Sequence, residues 1–391
     1  MNELIKEFLI KENIDAWVIA DYECKTPSLL SLIGKRFLTR KCFIVIPKIG
    51  KSFIIAHFID KQYLLDLSSD YDLRIYKNWN EMTLLLKEGL LGYKKIMMDI
   101  SENGLMPRVS SADYGTVCMI KEIVPEIVSS CDLLQHLSSV VKDDAWKSEI
   151  RACSMCDKIK DEAFDFISKK FINKEEVTEY DVQQYIMERF KQEGMVTDED
   201  IIVSVNGNAG NPHYAPTKEV HSPIKEGDIV LIDMWAKYDE DCGVFGDITW
   251  VGVVGDKIPP KFQIIFDVVK NAVQLALVFL EKNIPVRDVY GYEVDRVVRD
   301  YIISEGYGEY FIHRTGHNIC IDSSCHGSGV NLDDYETHDT RKIIDDISFS
   351  IEPGIYMEDM GVREEINVHI MERKVIVPTK IQKEIILIKT K

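Results

Sequence analysis

Five residues in the second half of the chain are of types that bind divalent metal ions, and each lies at or beside the end of an apolar segment. Asp233 ends the stretch GDIVLID, and Asp247 opens GDITW. Glu352 ends FSIE, Glu365 precedes INV, and His317 lies in the polar sequence RTGHN. A carboxylate at the end of a buried strand must be paired, hydrogen-bonded or bound to a metal ion. A sheet could bring these five side chains together.

The charges of this set balance two divalent cations, because four carboxylates carry four negative charges. Oxygen ligands with a single imidazole suit Mn²⁺, Co²⁺, Fe²⁺ or Zn²⁺. Two such ions can share a hydroxide and polarise a carbonyl group. Each residue also has a purely structural interpretation, since strand-end carboxylates often cap helices or form salt bridges. Residue types alone leave both interpretations open.

The elements that must position these residues alternate between helices and strands. We predict strands over 201–205, 228–234, 248–254, 347–352, 366–370 and 385–388. One long helix begins in KDDAWKSE, a second is capped by Thr178, a third begins at Pro259-Pro260, and a fourth covers 286–303. Pairs of helices between strand hairpins are typical of an α+β domain.

The first part of the chain reads as a separate, smaller α/β unit. We predict strands over 16–20, 42–47, 52–56 and 94–99, with the second and third forming a hairpin across KIGK. The charged segment 142–149 joins this unit to the first long helix. The sequence therefore predicts two domains, at 1–142 and 143–391.

Composition excludes several classes of protein. The chain has 391 residues, of which 46% are hydrophobic and 29% charged, which is typical of a globular protein. Its net charge of −18 disfavours binding to nucleic acids and to anionic membranes. We find no apolar run of about 18 residues and no secretory leader, so we expect a cytoplasmic protein. We interpret the pair Cys153 and Cys156 as structural, because it lies inside a predicted helix.

Five motifs occur in the second domain: NPHYAP (211–216), LID…GDIT (231–249), HRTGHNI (313–319), FSIEPGIY (349–356) and GVREEINV (361–368). On these motifs, residues 143–391 resemble the metallopeptidase family that includes aminopeptidase P, prolidase, methionine aminopeptidase and creatinase. The resemblance implies an α+β pita-bread catalytic domain. Residues 1–142 resemble the smaller α/β domain that precedes it in the aminopeptidase P and prolidase branch, the creatinase-type N-terminal domain.

The resemblance also implies roles for individual residues. The implied ligands of two metal ions are Asp233, Asp247, His317, Glu352 and Glu365, with Asp247 and Glu365 bridging the ions. Glu352 matches the general base that takes the proton of the water. His213 matches a histidine near the substrate and the attacking water, and His326 matches one that stabilises the tetrahedral intermediate. His313 and Arg363 match positions that bind substrate or support the ligands.

The function implied by the resemblance is that of a dinuclear metallo-exopeptidase. It would hydrolyse the N-terminal peptide bond of short Xaa-Pro peptides through a metal-bridging hydroxide, with Mn²⁺ preferred over Co²⁺, Zn²⁺ or Fe²⁺, as a cytoplasmic homodimer. Xaa-Pro aminopeptidase and Xaa-Pro dipeptidase activity both remain open. The alternatives are a creatinase-like C–N hydrolase, which works without metal, and a non-catalytic binding protein on the same fold. The complete ligand set argues against both alternatives.

Four features depart from the family pattern. About three more residues than usual separate Asp233 from Asp247, and we expect a surface loop to absorb them. Trp250 replaces a common arginine, Asn318 a glycine, and Gly327 a glutamate. We expect these three substitutions to lie beside the site and to influence the choice of substrate.

Overall fold

The computed structural model describes residues 1–391, and its contacts divide them into two compact units. Unit 1 is Met1–Leu137, and unit 2 is Ser138–Lys391. The sequence places the division slightly later, after residue 142.

Unit 1 contains one mixed sheet and five α-helices. Its strands are β1 (Ala16–Tyr22), β2 (Lys41–Pro47), β3 (Phe53–His57), β4 (Asp72–Tyr76), β5 (Lys95–Met98) and β6 (Glu126–Ser129). Its helices are α1 (Asn2–Lys11), α2 (Pro27–Ile33), α3 (Trp79–Gly89), α4 (Tyr114–Lys121) and α5 (Cys131–Ser138), with 3₁₀ segments at Phe58–Leu67, Glu102–Gly104 and Pro107–Val109. The strand order is β4-β3-β2-β1-β5-β6, and β2 and β3 form the predicted antiparallel hairpin.

Both faces of this sheet are buried, which explains the unbroken apolar stretch AWVIA. Successive side chains of a strand point to opposite faces. Trp17 and Ile19 of β1 belong to one hydrophobic cluster, and Ala16, Val18 and Ala20 belong to the other. A strand that is covered on both faces is apolar at every position.

Unit 2 contains four α-helices and three sheets. Its helices are α6 (Asp144–Ile172), α7 (Glu179–Gln192), α8 (Pro260–Asn283) and α9 (Gly291–Ser304), with 3₁₀ segments at Asn206–Gly210 and Gly308–Tyr310. Its strands are β7 (Met195–Val196), β8 (Ile202–Val205), β9 (Ile229–Tyr238), β10 (Gly246–Val254), β11 (Asn318–Ile319), β12 (Ile347–Ile351), β13 (Gly354–Tyr356), β14 (Gly361–Arg363), β15 (Ile366–Met371), β16 (Lys374–Ile376) and β17 (Ile386–Ile388). The sheets are β17-β10-β9-β7 with β8 also on β9, β11-β12-β15-β16, and β13-β14.

The helix predictions hold except at the start of α9. Thr178 caps α7 as expected, and its hydroxyl accepts the N–H of Asp181 while the Asp181 carboxylate accepts the N–H of Thr178. The predicted fourth helix begins at residue 286, whereas α9 begins at Gly291. The reason is an N-terminal cap that the apolar pattern does not show. The carboxylate of Glu293 accepts the N–H of Tyr290, and this hydrogen bond fixes the start of the helix at Gly291.

Helix α8 is long and apolar enough to cross a membrane by length and composition alone. Half of its most apolar stretch is buried inside the protein, where Phe262, Phe266 and Val269 join the main hydrophobic cluster of unit 2. The core helix of a soluble protein has the same composition.

Two sheets of unit 2 meet at one residue, Thr249. In the antiparallel pair β9 and β10, Thr249 lies opposite Asp233. An isolated bridge joins Thr249 to Glu365, which immediately precedes β15. Strand β15 in turn pairs with β12, whose last residue precedes Glu352. The sheets therefore bring together residues that are far apart in the sequence.

Helix α6 packs directly on the start of β10, and a glycine makes this contact possible. A Cβ atom on Gly246 would lie 2.6 Å from the backbone nitrogen of Cys153. Cys153 and Cys156 are both fully buried in α6, and all nine cysteines of the chain are free thiols. The interpretation of this pair as structural agrees with their burial.

Candidate metal centre

The five predicted ligands line one cavity of about 470 Å³ in unit 2. The side chains come from different elements: Asp233 from β9, Asp247 from β10, His317 from the residue before β11, Glu352 from the residue after β12, and Glu365 from the residue before β15. His213, His313, His326 and Arg363 line the same cavity. The structure thus brings together all nine predicted site residues.

The imidazole of His317 lies among three of the carboxylates. Its Nε2 atom is 3.4 Å from Asp247 Oδ2, 3.7 Å from Glu352 Oε1 and 4.0 Å from Glu365 Oε1. Asp233, Asp247 and Glu365 form a second group whose oxygen atoms all lie within 4.8 Å of one another. Two overlapping sets of potential ligand atoms therefore share this part of the cavity.

Burial makes the negative charge of this cluster costly. Asp233, Asp247 and Glu365 are at most 5% exposed. Burial raises the pKa of Asp247 to about 6 and that of Glu352 to about 8. Burial, followed by the charges of Asp247, Glu352 and Asp233, raises the pKa of Glu365 well above its usual range. Close, buried carboxylates can all ionise only when cations compensate them, so the donor set fits divalent metal ions.

Arg363 is the cation that the protein itself places among these ligands. It is buried, and its Nη2 atom donates to Asp233 Oδ2. Its Nε atom donates to the hydroxyl of Thr249 at 3.1 Å, and Nη1 donates to the hydroxyl of Tyr356 at 2.9 Å. One arginine cannot compensate four ionised carboxylates, so full ionisation of the cluster requires further cations.

The hydroxyl of Thr249 connects the ligands to one another. It lies 2.9 Å from Asp233 Oδ1 and 2.8 Å from Glu365 Oε2, and Thr249 is fully buried. A hydroxyl has one proton to donate, so it can donate to only one of these carboxylates at a time. Thr249 thereby fixes the relative orientation of two predicted ligands from different sheets.

His313 extends this network away from the ligands. Its Nε2 atom is 2.7 Å from the hydroxyl of Tyr356, and its Nδ1 atom is 2.7 Å from the carbonyl oxygen of Arg314. Burial, with a contribution from the charge of Arg363, lowers the pKa of His313 to about 3. The ring is therefore neutral at physiological pH and acts through hydrogen bonds.

His326 and His213 lie on the more open parts of the cavity. The ring of His326 meets that of His317 edge to face, with 4.1 Å between the centroids. The charge of His317, followed by burial, lowers the pKa of His326 to about 3. His213 is exposed in the segment after the 3₁₀ turn 206–210, and its neighbour Tyr214 donates to the buried carboxylate of Glu179 at 2.6 Å.

Sequence reasoning missed four residues of the site. Thr249 and Tyr356 end two of the motifs, so their positions gave a signal that was not used. Cys325 donates its thiol to Asp247 Oδ2 at 3.1 Å and forms a potential ligand group with Asp247 and His317. Arg314 lies inside the motif HRTGHNI and Cys325 directly precedes His326, so their neighbours in the sequence were the signal that these two residues line the cavity.

The inserted residues behave as expected. Strand β9 ends at Tyr238, β10 begins at Gly246, and the loop between them carries the extra length. The pairing of Thr249 with Asp233 is undisturbed. A longer loop at the tip of a hairpin leaves the register of the strands unchanged.

The three substituted residues directly follow Thr249, His317 and His326 of the site in the sequence, but their side chains do not face the cavity. Trp250 points to the face of β10 opposite Asp247 and Thr249, where Lys160 Nζ lies 3.4 Å from its ring centroid. Asn318 is fully buried and donates to the carbonyl oxygen of Ser348 at 2.9 Å. None of the three lines the cavity.

Asn318 and Gly327 occupy one space between them. A Cβ atom on Gly327 would lie 2.4 Å from Asn318 Oδ1. The side chain of Asn318 therefore fits only because residue 327 is a glycine, and the two substitutions depend on each other in packing.

A model of metallopeptidase family M24 matches residues 150–372 of the chain. A putative Xaa-Pro aminopeptidase of Mycoplasma genitalium is 31% identical over 194 residues, which are 49% of this chain and 50% of that protein. The chain spans about half the length of the curated relatives it matches first.

Solved structures share the fold over nearly the whole chain. An Xaa-Pro dipeptidase from Bacillus anthracis matches with a TM-score of 0.60 and 22% identity, covering 99% of this chain and 98% of that one. An X-prolyl aminopeptidase from Caenorhabditis elegans, described as a cytosolic enzyme with a di-nuclear active site, matches with a TM-score of 0.64 and 17% identity, covering 98% of this chain and 63% of that one. The prediction of an α+β pita-bread fold is thereby confirmed.

Proposed function

Because the chain belongs to metallopeptidase family M24, we propose that it is a dinuclear metal-dependent exopeptidase that hydrolyses the N-terminal peptide bond of Xaa-Pro peptides. The observation that carries the proposal is the convergence of four carboxylates and one imidazole in one cavity. The names of the similar proteins, an Xaa-Pro aminopeptidase and an Xaa-Pro dipeptidase, support the substrate class.

The residues that would hold two metal ions are Asp233, Asp247, His317, Glu352 and Glu365. We propose Mn²⁺ as the preferred ion for this oxygen-rich set, with Co²⁺, Zn²⁺ and Fe²⁺ as the other candidates. A bound metal pair supplies an activated water and polarises the carbonyl of the scissile bond.

We assign proton transfer and stabilisation of the oxyanion to side chains of the cavity. Glu352 is more exposed than Asp247 and Glu365, with 15% of its side chain accessible, so it can reach a water or substrate in the cavity. We assign to its carboxylate the uptake of the proton from the attacking water. His326 and His213 face the open cavity and can hydrogen-bond the oxygen that becomes negative during attack.

The buried network behind the ligands has a positioning role. Tyr356 and His313 hold Arg363 from one side, and Arg363 holds Asp233. Residues that orient metal ligands affect both metal affinity and activity. We therefore assign His313 and Arg363 to support of the ligands in addition to contact with substrate.

We extend the proposal to the whole chain. Residues 143–391 form the catalytic domain, and residues 1–142 form a creatinase-type N-terminal domain. We propose a homodimer that acts in the cytoplasm, as the description of the worm enzyme as cytosolic suggests. Light scattering of the purified protein tests the oligomeric state.

The test is release of alanine from Ala-Pro and Ala-Pro-Ala by the Mn²⁺-loaded protein. We expect metal-dependent release from at least one of them, its loss after chelation and its recovery when Mn²⁺ is returned. Glu352→Gln should bind the peptide without hydrolysing it. Absence of release from both peptides, with two metal ions bound per chain, would overturn the proposal.

A further inference from the structure

Behind the cavity, one face of the sheet formed by β12 and β15 is polar although it is buried. It carries Ser348, Asn367 and His369, and all three are fully buried. Successive side chains of a strand alternate between faces, and the opposite face carries Phe349 and Val368 of the main hydrophobic cluster. Buried polar side chains need hydrogen-bond partners, so another element must supply acceptors to this face.

The acceptors come from Glu149, a residue of α6 that is itself fully buried. Its Oε2 atom accepts a hydrogen bond from the hydroxyl of Ser348 at 2.6 Å. Its Oε1 atom accepts one from the side-chain amide of Asn367 at 3.0 Å. A buried carboxylate is costly unless donors surround it, so these two hydrogen bonds constrain all three side chains.

The neighbours of Asn367 determine the orientation of its amide group. Its Nδ2 atom also donates to the carbonyl oxygen of Phe245 at 3.0 Å, and its Oδ1 atom accepts the N–H of Asp247 at 2.9 Å. A carbonyl and a carboxylate can only accept, and a backbone N–H can only donate, so a flipped amide would lose all of these bonds. Asn367 therefore holds the backbone at the start of β10, on both sides of Gly246.

A second chain of hydrogen bonds ends on the same carboxylate. Ser348 Oγ lies 2.8 Å from His369 Nδ1. Because the hydroxyl donates its one proton to Glu149, it accepts from the ring N–H at Nδ1. The Nε2 atom of His369 has no hydrogen-bond partner, which agrees with its being the unprotonated nitrogen. The ring also stacks on Trp146 of α6, with 4.0 Å between the centroids.

We propose that Glu149 is a positioning residue of the metal centre, which holds the proposed ligand Asp247 in place through Asn367; this inference rests on the function proposed above. Glu149 and Asn367 do not line the cavity, so their effect on the ligand passes through the backbone of β10. Residues that orient metal ligands from behind influence metal affinity as well as activity.

The carboxylate is required because it offers an acceptor to each chain. Glutamine has nearly the same shape but offers one acceptor and one donor. If its oxygen still accepts from Asn367, its NH₂ group faces Ser348, which must then reverse its hydrogen bond. The remaining bond to Asn367 is also weaker, because it has lost the charge of the acceptor. Methionine has a similar volume and removes both acceptors.

The experiment measures Mn²⁺ affinity by isothermal titration of the chelated protein, and kcat and KM for Ala-Pro at saturating Mn²⁺. We expect Glu149→Met to lower Mn²⁺ affinity about 10- to 100-fold, and Glu149→Gln to lower it by a smaller factor of at least about threefold. At saturating Mn²⁺, kcat should fall while KM stays within about twofold, because Glu149 does not contact the cavity.

The same substitutions at Glu162 are the matched controls. Glu162 lies on the same helix and pairs with Arg189 at 2.7 Å, away from the polar face of the sheet. Glu162→Met and Glu162→Gln should leave Mn²⁺ affinity, kcat and KM unchanged. Circular dichroism at the temperature of the titration establishes which variants are folded, and Glu149→Gln replaces Glu149→Met throughout if the methionine variant is not.

A double-mutant cycle tests the connection through Asn367. Asn367→Leu breaks the link between Glu149 and Asp247, so it should lower Mn²⁺ affinity by itself. If Glu149 acts through Asn367, adding Glu149→Met to Asn367→Leu should lower the affinity no further. Losses that add in full would show that Glu149 does not act through Asn367 and would overturn the inference.

Failure of this inference differs from failure of the proposed function. If Glu149→Met binds Mn²⁺ within about twofold of the wild type, Glu149 does not position the ligand, while metal-dependent cleavage of Ala-Pro by the wild type leaves the proposed function standing. If the wild type binds two Mn²⁺ ions per chain and cleaves neither Ala-Pro nor Ala-Pro-Ala, the proposed function and the inference that rests on it both fail.

Discussion

Replacement of Thr249 by valine should weaken metal binding while leaving the fold intact. Valine has nearly the same shape, so the change leaves no cavity in this fully buried position. It removes one hydroxyl that contacts Asp233 Oδ1 at 2.9 Å, Glu365 Oε2 at 2.8 Å and Arg363 Nε at 3.1 Å. The carboxylates of two proposed ligands then lose their shared partner.

The size of the effect follows from these contacts. The hydroxyl can make one donated and one accepted hydrogen bond here, each to a charged group and each worth about 1.5–3 kcal/mol. Part of this energy is retained when the side chains rearrange. Loss of a residue that orients metal ligands commonly lowers affinity about 10- to 100-fold, and we expect the Mn²⁺ affinity of Thr249→Val to fall within that range.

Isothermal titration of the chelated protein with Mn²⁺ measures this loss, and Thr249→Ser is its matched control. Serine restores the hydroxyl but removes a buried methyl group, which costs about 1 kcal/mol of unfolding free energy. We therefore expect Thr249→Ser to bind metal like the wild type and to be slightly less stable. If Thr249→Val binds Mn²⁺ within about twofold of the wild type, the hydroxyl does not orient these carboxylates, and the reasoning is refuted.

Three other predictions concern pH, protons and the loop of His213. Burial raises the pKa of Glu352 to about 8 from its usual value near 4.5, so its contribution to the stability of the metal-free protein is present below about pH 4.5 and is lost as the pH rises towards 8. In urea unfolding between pH 5.5 and 7.5, Glu352 alone should therefore contribute a fall of up to about 1.4 kcal/mol per pH unit, and the slope of Glu352→Gln should be shallower than that of the wild type by about this amount. For the same reason Mn²⁺ binding at pH 7 should release protons, which titration in two buffers of different ionisation enthalpy detects, and an equal heat in both buffers would contradict it. Tyr214→Phe removes the hydrogen bond to the buried Glu179 carboxylate, so we expect a loss of about 1–3 kcal/mol of unfolding free energy. Because Tyr214 is next to His213, we also expect a lower kcat, while the metal content measured by mass spectrometry should be unchanged.

The ligand residues could be predicted because each is a charged residue at the end of an apolar segment. An isolated charge is rarely buried without a partner, so Asp233 and Asp247 stand out in the sequence. The hairpin of β9 and β10 brings these two residues together, but their contact with Glu365 could not be deduced from the residues alone, since it depends on the bridge between Thr249 and Glu365 across two sheets. The family motifs supplied the grouping that local patterns lack.

The position of Trp250 was available from the sequence and was overlooked. Alternate residues of a strand point to opposite faces, so Asp247 and Thr249 share one face while Ile248 and Trp250 share the other. The structure places the second pair in the hydrophobic cluster beneath α6. The packing of Asn318 against Gly327 could not be predicted in this way. The two residues are nine positions apart, and the fit of the Asn318 side chain against a glycine appears only in the folded structure.

The charge balance inferred from residue types was incomplete because it left out Arg363. Four carboxylates and two divalent ions would cancel, but a buried arginine beside Asp233 adds one positive charge. The neighbouring His313 is neutral, since burial lowers its pKa to about 3, and Tyr356 is neutral because burial raises its pKa above the usual range. A metal-loaded site would therefore carry an excess of one positive charge. That excess would balance the single negative charge of the attacking hydroxide, and it would stabilise the same charge once attack has moved it onto the carbonyl oxygen.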